Sequence, residues 1–220
     1  MVMPTEGRLL RLLTWLSPAF PTGAFGFSHG LETAIREGAV SDVRSLTGWI
    51  AALLEHGSAW SDAVLVKAAW TAVTAEDHVA LDDLAELAEA FCPSLERRRE
   101  TMSQGEAFLK AVAAWNPPPI LSAPYPVALG AAAGAAGLPL EPALTAWLHA
   151  FAANLVSVAV RAVPLGQSDA LQVLAALEPV IIRTANRAAA SCLDDLGSAS
   201  LVSDIASMRH ETLDGRLFGS

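Results

Sequence analysis

The chain has 220 residues, of which 53% are hydrophobic and 17% charged, enough apolar material for one large core or two fused halves and too much for extended disorder. Its 14 Lys and Arg against 23 Asp and Glu give a formal net charge of -9, a surface that repels the phosphate backbone on which most nucleic-acid affinity rests. Cys92 and Cys192 stand far apart without a Cys-x-x-Cys pair, which argues against a disulfide framework or a thiolate metal site and suits a reducing cytoplasm.

Helical spacing begins at once: Leu9, Leu10, Leu12, Leu13 and Leu16 recur with Trp15, and Pro18 should stop the helix at Ser17. The start lacks the charged region and cleavage site of a secretory signal and reads as mature structure. Residues 17–32, SPAFPTGAFGFSHGLE, then place two prolines, three glycines and three phenylalanines in a turn poor in polar groups. Backbone amides in such a turn need partners, so it either packs beneath helices or meets another protein. A short helix is expected from about Ser28 to Gly38, and Ser41 or Asp42 caps another carrying Val43, Leu46, Ile50, Leu53 and Leu54 on one face.

Gly57 and Ser58 precede a further helix, Glu76 and Asp77 open the next, and Ser94 starts one that runs to Trp115. The run Arg97, Arg98 and Arg99 reads as a solvated helix face. NPPP at 116–119 is the clearest break and is taken as a connector. Gly130, Gly134 and Gly137 line up small residues for a close helix contact. Residues 143–160 approach the length of a membrane span, but His149, Asn154 and the following Arg161, with no flanking basic cluster, favour a central helix of a helical protein. After the break PLGQSD, Ser168 or Asp169 caps a last long helix that Pro179 should kink. Beyond Cys192 the pattern weakens and predicts loop with at most a short helix. The expected fold is all-α: a single compact domain of roughly eight to ten helices over 1–193 and a loop-like tail over 194–220.

No catalytic constellation emerges. His29, His56, His78, His149 and His210 form no His-x-x-x-His pair, and His29 with Glu32 or His210 beside Glu211 is a spacing that chance supplies. The pairs Asp82-Asp83 and Asp194-Asp195 lack a companion motif, and no nucleophile elbow or phosphate loop is present. The chain is expected to be no enzyme and to hold no metal or cofactor. The ending MRHETLDGRLFGS does offer Arg216, Leu217 and Phe218, the residue types that anchor interfaces.

Four stretches, in order, resemble the UreF family of urease accessory proteins. The first is Ser17, Pro18, Pro21, Gly23, Phe25, Ser28, Gly30, Leu31 and Glu32, and the second Glu100, Thr101, Gln104, Gly105 and Phe108. The third is Arg161, Pro164, Leu165, Gly166 and Gln167, and the fourth Met208, His210, Glu211, Arg216, Leu217 and Phe218. Phe27 departs from a frequent tyrosine, Gly219 from a usual arginine, and LDG from a more aromatic and polar segment. The resemblance implies a cytoplasmic, all-helical homodimer that binds the accessory protein UreD, called UreH in some systems, partly through its tail. That pair recruits the GTPase UreG to deliver nickel to the urease apoprotein, with this chain as scaffold or regulator. The alternative is a metallochaperone that binds nickel itself. Partner contact is expected at the motif residues of the first, third and fourth stretches other than Leu31, Leu165 and Met208, with Gly166 important because the Pro-Leu-Gly junction separates two long helices.

Overall fold

The computed structural model describes residues 5–115 and 118–218, and of Phe25 only the backbone. Part of the expected break at 116–119 and the last two positions of the 194–220 tail, with the Gly219 departure, lie outside the described residues.

Among the described residues there are ten α-helices and no strand. In chain order they are α1 (Thr5–Trp15), α2 (Leu31–Arg36), α3 (Val43–His56), α4 (Ser58–Thr74), α5 (His78–Ala90), α6 (Leu95–Val112), α7 (Tyr125–Ala135), α8 (Leu140–Ala162), α9 (Gln167–Ala189) and α10 (Leu201–His210). Short 3-10 turns occupy Ala24–Gly26 and Leu193–Asp195. The expectation of an all-α fold is met. The helix starts follow local chemistry. Asp42 accepts from the Ser45 N–H at 2.8 Å while Ser45 Oγ accepts from the Asp42 N–H, a reciprocal cap for α3. Asp77 and Ser94 cap α5 and α6 in the single-bond form. Asp169 acts from inside the first turn of α9, accepting from the Gly166 N–H at 2.9 Å, rather than standing ahead of the helix. α9 continues through Pro179.

The centre is the contact between α4 and α7, both buried almost all round. A Cβ at Gly130 would lie 2.3 Å from the Val66 carbonyl oxygen, so only hydrogen lets these backbones meet. Gly134 serves the same contact, whereas Gly137, at φ +64°, ends α7. α8 packs on α9, α4, α3 and α2. It is long and apolar enough to cross a bilayer, yet Leu144, Leu148, Leu155, Val158 and Ala159 are buried within the protein. An aromatic chain ties the opening turn to this core. Phe20 meets Phe108 at 5.6 Å between centroids, Phe108 meets Tyr125 at 5.4 Å, and Tyr125 meets Trp147 at 4.8 Å.

One expectation is corrected and another refined. Arg97 does not belong to a solvated face: it is buried and bonded to Asp62 at 2.5 Å, and only Arg98 and Arg99 are exposed. The segment after Cys192 is largely loop as expected, but it holds one helix, α10, longer than its weak pattern suggests. Its periodicity is hard to see because it is inverted. Ser203, Ala206, Ser207 and His210 face inward, while Leu201, Val202, Ile205 and Met208 face solvent.

Candidate functional site: a C-terminal arm seated on the opening turn

The turn divides at Ser28. Pro18 and Pro21 are exposed, Ser17 is half-buried with its Oγ accepting from the Ala19 N–H, and Gly23 takes φ +73° over open space. From Ser28 to Glu32 every residue is buried. Both readings of the turn therefore have a part of it: a packed inner end and an accessible outer loop.

The inner end seats α10. Gly30 has φ +76°, and a Cβ there would fall 2.8 Å from the Ser207 amide nitrogen and 2.9 Å from the Ser203 carbonyl oxygen. Side chains are excluded by both the backbone conformation and the approach of α10.

Glu32, buried beside Gly30, gathers donors from the far end of the chain. The Leu217 N–H reaches its two oxygens at 3.0 and 3.2 Å, and the Phe218 N–H reaches Oε2 at 3.1 Å. Arg36, one helical turn on, donates to Glu32 Oε1 at 2.8 Å and to the carbonyls of Asp214 and Gly215 at 2.7 and 2.5 Å. Burial opposes ionisation of Glu32, but the Leu217 N–H, His210, the Phe218 N–H and Arg36 outweigh it and hold the carboxyl below its usual range.

His210 is 0% exposed and sits between two carboxylates, Nδ1 2.9 Å from Glu96 Oε2 and Nε2 3.1 Å from Glu32 Oε2. Arg216 pairs with the other Glu96 oxygen. Glu211 accepts from the Leu95 N–H at 3.1 Å and the Glu96 N–H at 3.4 Å, adding a second cap to α6. The Arg161 guanidinium of α8 lies 4.6 Å from the centre of the buried Phe218 ring. Leu217, between two anchored residues, is 67% exposed.

A second polar chain runs under the turn. The His29 imidazole contacts Glu100 at 3.1 Å and the Phe151 ring at 4.8 Å, and Arg97 bridges Glu100 to Asp62. Burial opposes ionisation of Glu100, but His29 and Arg97 bring its pKa down to about 2. At Asp62 burial wins over Arg97 and raises the carboxyl. Above this chain lies a cavity of about 250 Å³ walled by Tyr125, Trp147, Phe151 and Asn154.

The structure thus gathers Ser28, Gly30, Glu32, Arg161, His210, Glu211, Arg216 and Phe218 into one seat. Pro164, Gly166 and Gln167 lie at the exposed α8–α9 junction, where a Cβ on Gly166 meets only Asp169 at 3.5 Å, so no steric demand for glycine exists there. The Phe25 side chain lies outside the described residues. Sequence reasoning missed Arg36, Glu96 and Asp62. Glu32 and Arg36 at i, i+4 gave a local signal, whereas Glu96 and Asp62 are defined by partners distant in sequence. Among the described residues no three His, Cys, Asp or Glu side chains converge as a metal site; Glu32 and Glu96 flank His210 from opposite sides.

These features define a helical protein organised around a C-terminal arm folded back on a turn near its start, with apolar side chains left on the arm's outer face. A model of the UreF family matches residues 40–178. Urease accessory protein UreF of Mesorhizobium japonicum is 49% identical over 221 residues, covering 99% of this chain and 98% of its own. The proteins of that name in Agrobacterium fabrum and Brucella ovis are each 49% identical, over 217 and 219 residues, covering 96% of this chain and 96% and 94% of their own. The chain belongs to the UreF family of urease accessory proteins.

Proposed function

We propose that the chain is a non-catalytic scaffold of urease maturation in the cytoplasm. It assembles with UreD/UreH and the GTPase UreG to promote GTP-dependent nickel insertion into the urease apoprotein. The observation that carries this reading is the outer face of α10. Leu201, Val202, Ile205 and Met208 form an apolar stripe, with Val202 70% exposed, on a helix whose inner face is fixed by the buried seat. Rigidly held, exposed apolar side chains suit an interface core because little ordering entropy remains to be lost on binding. UreD/UreH is the partner we assign to this face.

Purified chain mixed with UreD and UreG, with and without GTP and nickel, tests the assembly by size exclusion. Ile205→Asp removes the apolar contact without touching the core, so helicity should stay unchanged while UreD capture falls by roughly tenfold or more, the cost of truncating a central contact. Undiminished capture by Ile205→Asp together with Val202→Asp would refute the assignment.

A further inference from the structure

His210 is a fully buried anchor of the arm, and its two ring nitrogens both point at carboxylate oxygens. A carboxylate only accepts, so each contact is a hydrogen bond when the facing nitrogen carries hydrogen. A neutral imidazole carries one, which would leave a nitrogen lone pair about 3 Å from a carboxylate oxygen in a site without water access.

Charged groups face the ring from every element around it. Glu32 and Arg36 come from α2, Glu96 from α6 and Arg216 from the segment after α10, while Arg161 of α8 lies beyond the Phe218 ring. Glu37 and Arg209 pair at the rim, and Glu211 is turned to the α6 amides. Arg36 and Arg216 already balance the two carboxylates in formal charge. Hydrogen-bond direction, rather than net charge, therefore sets the demand on the ring.

We propose that seating of the C-terminal arm is proton-coupled: His210 fastens α10 to Glu32 and Glu96 as the imidazolium, and loss of one proton from the ring releases one of the two bonds and loosens the arm. The protein then carries a switch by which rising pH shifts α10, and the apolar stripe it displays, from a fixed to a mobile platform. This holds for the isolated chain and does not depend on which protein meets the outer face of α10.

The test is backbone hydrogen exchange of the purified chain at roughly pH 5.5 and roughly pH 8.5, a span over which imidazoles change charge. Exchange is expressed as protection of α10 relative to α4. Relative protection of 203–210 should drop roughly tenfold to a hundredfold at the higher pH, the weight of one charge-assisted hydrogen bond. In Glu96→Gln the side-chain amide can donate to the unprotonated Nδ1 while its oxygen still accepts from Arg216, so the drop should vanish. A wild-type ratio that is equal at both pH values overturns the proposal, and so does a Glu96→Gln drop as large as that of wild type. If the variant seats no arm at either pH, the carbon-13 shift of the wild-type His210 ring decides. Titration in step with loss of protection supports the coupling, and a ring that does not titrate across the drop refutes it.

Discussion

Asp62, Arg97, Glu100 and His29 are buried and bound to one another, and in such a chain each group depends on the next. Deleting one member leaves another charged and unpaired, which costs more than the intact arrangement contributes. Arg97→Ala should lower unfolding free energy by about 3 to 5 kcal/mol in chemical denaturation. Arg98→Ala, which breaks a more exposed pair with Glu89, should cost under about 1 kcal/mol. The neighbouring arginines, indistinguishable by sequence, thus provide each other's control. Acid acts in opposite directions within this group. Glu100 titrates lower in the fold than the usual 4.5, so its contribution is full above that value and is lost as pH falls toward about 2. Asp62 titrates higher in the fold, so its protonation favours the folded state and offsets part of that loss.

Helices here are positioned by backbone proximity as much as by side-chain packing. Gly130→Ala forces a methyl against the Val66 carbonyl at the central α4–α7 contact and should cost about 1 to 3 kcal/mol or prevent folding. Gly30→Ala adds a methyl at positive φ against the α10 backbone and should unseat the arm while the core holds. Proteolysis would then cut near 201–210 with little change in the melting of the remaining helices, whereas joint loss of both would mean that arm and core are one cooperative unit. The elements themselves were legible where apolar stripes faced inward, as in α3 with Leu46, Ile50, Leu53 and Leu54. α10 escaped because its inward residues are small or polar and its leucine, valine and isoleucine point out, so the pattern carries interface information in place of core information.

Across the described residues, exposed apolar side chains occur on several helices. Leu9, Leu10 and Leu13 are exposed on α1 as the stripe is on α10, and two such helices suit two different associations. If UreD/UreH takes the α10 stripe as proposed, the α1 leucines are the face we propose for self-association. Leu10→Asp should convert a dimer to monomer in light scattering while leaving UreD capture in place, and a persistent dimer would place self-association elsewhere. The seat was half visible in the sequence. Motif residues at 28–32 and 208–218 could be named, but their meeting could not, because Glu32 and Phe218 are 186 positions apart and only the tertiary fold joins them. That closure also has a temporal side. Synthesis proceeds from the N-terminus, so Glu32 leaves the ribosome long before the amide groups of Leu217 and Phe218 exist to receive it. A polypeptide cut before Leu217 lacks two of the groups that donate to this carboxylate and leaves it correspondingly more dependent on water.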